Sequence, residues 1–128
     1  MNKTIFITGL LFGFLAILLG ALGSHGLEGV IDAKAITTFK TGVNYQMYSA
    51  LFLLVLGSVK QLPAQKKRGV YYLTTLGTVL FSFSIYFLAT NEVTAFDFGV
   101  IALATPIGGI LLLSAWLVLG YRVFQQFD

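Results

Sequence analysis

Four long stretches of this chain carry no charged residue, and they constrain the fold more than anything else in it. Residues 4–27 lie between Lys3 and Glu28, and 41–59 between Lys40 and Lys60. Residues 69–91 lie between Arg68 and Glu92, and 98–121 between Asp97 and Arg122. An apolar helix needs about 20 residues to cross a bilayer core of roughly 30 Å, so each stretch is long enough. In hydrocarbon the backbone must satisfy its own hydrogen bonds, and apolar runs without strict alternation read as helices rather than barrel strands. The expected structure is an all-α, integral membrane four-helix bundle. It forms a single transmembrane domain over 1–128, with spans at about 4–26, 41–59, 69–90 and 100–121.

Composition agrees. The chain is 57% hydrophobic and 10% charged, against about 25% charged in a soluble domain. So few charges cannot coat a soluble monomer, and such hydrophobicity excludes disorder. There is no cysteine, which removes disulfides, thiolate metal sites and cysteine nucleophiles. The first stretch, with Lys3 before it and small residues near Ala21 and Gly23, also has features of a signal peptide. Its apolar run exceeds the usual signal length of about 7–15 residues, so it is read as a retained helix.

Basic residues set the orientation. Lys60, Lys66, Lys67 and Arg68 crowd the connection between helices two and three. With that connection in the cytoplasm, both termini are cytoplasmic and bring Lys3 and Arg122 to the same side. Lys34 and Lys40, with Glu28, Asp32, Glu92 and Asp97, fall outside. The basic cluster is thus a topology signal, and no nucleic-acid partner is expected. The expected location is the bacterial plasma membrane.

Helix one carries a stripe of small residues, Gly9, Gly13, Ala16, Gly20 and Gly23, which share one face at 100° per residue. Such a stripe serves either internal packing or a seam between copies in a homo-oligomer. Asp32 is placed to cap a helix from Ala33. With no proline before Pro63, that helix is expected to run from about 33 through the second span. Pro63 marks the break after it, and Tyr71 and Tyr72 form an inner aromatic belt. Helix three is bulky, with Phe81, Phe83, Tyr86 and Phe87, and is expected to present much of its surface to lipid. In helix four, Pro106 either kinks the helix or is its first residue after a Thr105 cap. The cap reading is preferred and requires residues 98–104 to fold back. Gly108 and Gly109 then allow close helix packing, and Trp116 and Tyr121 lie toward the inner surface.

Three segments carry a resemblance: GALGSHGL at 20–27, TFKTGVNYQMYSAL at 38–51 and ATPIGGILLLSAW at 104–116. Together they resemble the YgdD/YwdK-like family of small bacterial membrane proteins. The resemblance implies a four-span inner-membrane protein and supplies no activity or substrate. His25 stands in the family's GxxGxHGL segment, Tyr45 to Tyr48 in its YQMY segment, and Thr105, Pro106, Gly108 and Gly109 in its TPxGG. Family members often have a histidine directly after YQMY, where this chain has Ser49. A scheme built on a surface histidine pair therefore does not fit it.

His25 is the only histidine. It serves either as a ligand or proton-binding group or as a hydrogen-bonding tie between helices one and two. With Glu28 and Asp32 it offers too few ligands for a metal site, and no cofactor is expected. No GxSxG, HExxH, GxxxxGK[ST] or GxGxxG pattern occurs. Asn44, Tyr45, Gln46 and Tyr48 form a polar group near the outer surface that must find partners in apolar surroundings. With His25 and Thr105 they are the candidate ligand cluster. The group either hydrogen-bonds between helices, with the His25 loop and the Thr105 turn, or lines a shallow pocket for a lipid headgroup or small molecule. Gly9, Gly13, Ala16, Gly20, Gly23, Pro106, Gly108 and Gly109 are the expected packing residues. The favoured function is a non-catalytic packing, binding or accessory protein, whose partners are the lipid bilayer, a second copy of itself, a lipid headgroup or another membrane protein. The alternatives are an oligomeric transporter or channel, and a membrane enzyme using His25.

Overall fold

The computed structural model describes residues 2–27, 29–90 and 103–127. Four helices account for most of them: α1 (Asn2–Gly26), α2 (Ala33–Ser58), α3 (Ala64–Ala89) and α4 (Ala104–Gln126). The protein is an all-α membrane helical bundle. α1, α3 and α4 are each long and apolar enough to cross a bilayer. α2 has the length, but Asn44, Tyr45, Gln46, Tyr48 and Ser49 interrupt its apolar run. It can carry them because it is an inner helix, with α1 on one side and α3 on the other.

The register of the first pair can be read from glycines that leave little or no room for a side chain. A Cβ at Gly9 would lie 2.9 Å from the Ala50 carbonyl oxygen. One at Gly23 would lie 2.8 Å from the Phe39 ring, and one at Gly57 would lie 3.3 Å from the Asn2 carbonyl oxygen. Gly13 faces Ala50 and Gly20 faces Val43 at ordinary contact distance. α1 and α2 are therefore antiparallel along their whole length, and α2 reaches the same depth as α1. The small-residue stripe, with Ala16 buried among it, is occupied by α2.

α3 and α4 repeat the device. A Cβ at Gly108 would stand 2.4 Å from the Phe81 backbone nitrogen and 2.8 Å from the Gly77 carbonyl oxygen. Thr105 meets Ser84 one helix end further along, so this pair is also antiparallel. Asn2, Phe127 and the Lys66–Arg68 cluster consequently gather at one end of the bundle, where the buried Lys67 Nζ donates to Asn2 Oδ1 at 3.0 Å.

Local signals explain the helix ends. Asp32 caps α2 as expected, accepting from the Ala35 N–H at 2.7 Å, which satisfies an orphan donor of the first turn. Gly29 has φ +81°, a left-handed conformation that favours glycine at the turn before α2. α1 closes with a wide π turn over Leu22–Gly26, where the Leu27 N–H reaches the Leu22 carbonyl at 3.0 Å.

α3 starts at Ala64, with Pro63 at its N-cap position, so Lys66 to Arg68 sit on its first turns, ahead of the span expected from about 69. Thr105 is not the cap of α4, which begins at Ala104. Pro106 lies in the first turn, where its missing N–H leaves no bond unmade, and the Thr105 hydroxyl turns to Ser84 instead. The fold-back expected for residues 98–104 falls mostly outside the described residues. α3 is the most enclosed of the three apolar helices, with Tyr72, Leu76, Val79 and Phe87 exposed along it. Val70, Thr74, Thr78 and Ser82 form its buried edge. Thr74 and Thr78 return their hydroxyls to the carbonyls four residues earlier, at 2.8 and 2.7 Å, so a hydroxyl row packs as a small-residue face would.

Candidate functional site

Two features organise the middle of the bundle, a buried polar node and an apolar groove beside it. The node is Gln46, which is 0% exposed. Its Nε2 donates to the Phe12 carbonyl oxygen at 2.9 Å. Its Oε1 accepts from the Tyr86 hydroxyl at 2.6 Å. A buried amide must satisfy both ends, and here one end is satisfied by α1 and the other by α3. The Phe12 carbonyl is a helix acceptor with a second lone pair, so α1 keeps its own ladder.

α3 is shaped for this contact. Over Val79–Phe83 its turns widen into a π segment, a distortion that re-aims side chains. Ser82 donates to the Gly42 carbonyl oxygen at 2.8 Å, and a Cβ at Gly42 would stand 2.7 Å from the Tyr86 ring. Phe39 packs on Tyr86 at 4.9 Å between ring centroids. Ser84 donates to the Phe81 carbonyl oxygen at 2.9 Å. Its single hydrogen is thereby used, which makes Thr105 the donor in the 2.5 Å contact between the two hydroxyls.

The groove lies between α2 and α4 over a floor made by Phe81. It encloses about 650 Å³, within the usual range of small-molecule sites. Tyr45, Tyr48, Ser49 and Phe52 follow one another at i, i+3, i+4 and i+7 and give it one wall. Gly109, Leu112, Leu113 and Trp116 give the other. α4 packs chiefly on α3, which leaves the α2 side open. Phe52 and Trp116 approach across it at 4.8 Å, and Tyr45 contacts Phe81 at 4.9 Å and Tyr48 at 5.4 Å. Trp116 is 62% exposed, so the groove opens sideways from the bundle.

The structure divides the expected polar cluster. Gln46 is the node and Thr105 joins α4 to α3. Tyr45 and Tyr48 line the groove. Asn44 is exposed on α2, and His25 is exposed in the π turn ending α1. The interhelical bonds of Gln46 go to Phe12 and Tyr86, not to the His25 loop or the Thr105 turn. Sequence reasoning missed Tyr86 and Ser49. Tyr86 was hidden in an aromatic run, although the four-residue spacing of Thr74, Thr78 and Ser82 marks the face that leads to it. Among the described residues no three His, Asp or Glu side chains gather where an ion could sit. Thr75 Oγ1 and Arg122 Nε are buried without a hydrogen-bond partner among the described residues, and neither lines the groove.

Comparison with known proteins gives a consistent picture. The profile of a family described as a protein of unknown function, DUF423, matches residues 19–109. A UPF0382 membrane protein of Staphylococcus haemolyticus is 34% identical over 123 residues, covering 96% of this chain and 97% of its own. One from Staphylococcus epidermidis is 38% identical over 117 residues, covering 91% and 92%. The UPF0382 membrane protein YwdK of Bacillus subtilis is 36% identical over 123 residues, covering 91% and 93%. No solved structure matches the chain.

Proposed function

This chain belongs to the DUF423 family, whose relatives are UPF0382 membrane proteins, and from that premise we propose a non-catalytic binding role in the bacterial plasma membrane. In this reading all four helices cross the bilayer, both termini are cytoplasmic, and the groove between α2 and α4 holds a membrane-borne ligand. The observation that carries it is the direction of the groove. It opens sideways, where lipid would lie, and no carboxylate, histidine or basic side chain lines it. General acid–base or nucleophilic chemistry requires such groups within reach of one another. Gln46, Ser82 and Thr105 are engaged in holding helices together. The gathering of Lys3, Lys66, Lys67, Arg68 and Arg122 at the end that holds Asn2 and Phe127 supports a cytoplasmic placement of that end.

The chain has no cysteine of its own, so single cysteines report topology cleanly. Cysteine at Ala64 is expected to react only with reagent reaching the cytoplasm, and cysteine at Ala33 only from outside. The reverse pattern would sink the threading. Native mass spectrometry from the membrane is expected to find a small ligand bound. Protein released bare from every lipid mixture tried would oppose the binding role.

A further inference from the structure

We propose that the occupant of the groove is a membrane-soluble aromatic carbonyl compound of the quinone class, its ring beside Ser49. The inference rests on the groove being a binding site, as read above, and deepens it by naming the ligand chemistry. Ser49 is 6% exposed and its hydroxyl lies on the groove wall. It has no hydrogen-bond partner among the described residues, and neither do the hydroxyls of Tyr45 and Tyr48 on the same wall. Several other hydroxyls are settled locally: Thr8, Ser58, Thr74 and Thr78 each bond the carbonyl four residues earlier, while Thr75, away from the groove, is unpaired among the described residues as well. The Ser49 hydroxyl is thus unpaired and open only to the groove; in apolar surroundings such a group is costly, and an acceptor on a ligand would relieve it.

Depth decides which ligand. Ser49 is next to Ala50, which faces Gly13, near the midpoint of α1. At mid-depth the headgroups and ester carbonyls of phospholipids are about 15 Å away, and their chains carry no acceptor. A quinone ring carries two carbonyl acceptors and is apolar enough to dissolve there. The walls fit a flat ring as well. Tyr45, Tyr48, Phe52, Phe81 and Trp116 all face the groove, and aromatic faces stack on one another with centroids some 4.5–7 Å apart. A saturated chain has no use for that lining.

Trp116 is the only tryptophan and lies on the groove wall, so its fluorescence reports occupancy. The full chain is placed in nanodiscs of phosphatidylethanolamine and phosphatidylglycerol and titrated with a decyl-substituted benzoquinone. Saturable quenching is expected. Ser49→Ala should raise the half-saturating quinone roughly threefold to tenfold, as loss of one hydrogen bond implies. Ser49→Thr should restore it, with unchanged melting in both variants. Quenching that rises linearly and equally in all three chains would overturn the proposal. Native mass spectrometry in the same lipids separates that failure from failure of the groove reading. Phospholipid retained by the native chain but lost from Gly109→Leu (or from Leu113→Phe, should the first not fold) would make the occupant an acyl chain. That result overturns the quinone-class ligand and leaves the groove standing. A chain that binds neither quinone nor phospholipid overturns both.

Discussion

The hydroxyl of Tyr86 donates to Gln46 at 2.6 Å, and through Gln46 it is connected to the backbone of α1 at Phe12. One side chain on α2 thus joins the helices on either side of it. Removing one partner of a buried hydrogen bond costs more than replacing both with apolar groups. Tyr86→Phe is expected to destabilise the bundle by about 1–2 kcal/mol, and Gln46→Leu by a similar amount. The double variant should cost less than the sum of the two. Reversible unfolding in mixed micelles would measure the cycle, and strictly additive effects would show that the two groups do not act together.

The Gly77–Gly108 crossing predicts a contrast among glycines. Gly108→Ala would drive a methyl into the backbone of α3, and overpacking of this kind costs about 1–3 kcal/mol. Gly120 has open space where a Cβ would go, so Gly120→Ala should be neutral or slightly stabilising through helix propensity. Equal melting temperatures for the two variants would contradict the close approach of α3 and α4.

α1 supplies a third test. Gly9→Leu should prevent α1 from lying on α2, because its Cβ alone would lie 2.9 Å from the Ala50 carbonyl oxygen. Loss of folded protein is expected, not a change in oligomer size. Folded chains that shift only from one assembly size to another on size-exclusion chromatography would return the stripe to a seam between copies.

Asp32 caps a helix end that projects beyond the apolar part of α2. Asp32→Ala should cost about 0.5–2 kcal/mol. Faster amide exchange should be confined to the first turns after Ala33. Exchange spread evenly along α2 would mean the cap does not act locally.

The sequence made the helices legible because their signals are local or additive. An uncharged stretch reads as a span wherever it occurs, and Asp32 ahead of Ala33 caps a helix by reaching three residues along the chain. The candidate site was only half legible. Gln46, Tyr45 and Tyr48 stand out as polar groups in an apolar run, yet their roles differ completely, one buried between helices and two on a groove wall. Nothing local assigns Tyr86 to Gln46, which is separated from it by forty residues.

By itself, then, the sequence determined an all-helical membrane protein, the cap of α2 and the glycines that permit close packing. Which helix each glycine meets was decided only by the tertiary structure. Close packing in lipid depends on the shape of the opposing surface, and that surface is contributed by a distant part of the chain. The same holds for the groove. It exists because α4 crosses α3 at Gly108 and lies apart from most of α2, a relation among three helices that no single stretch of sequence contains.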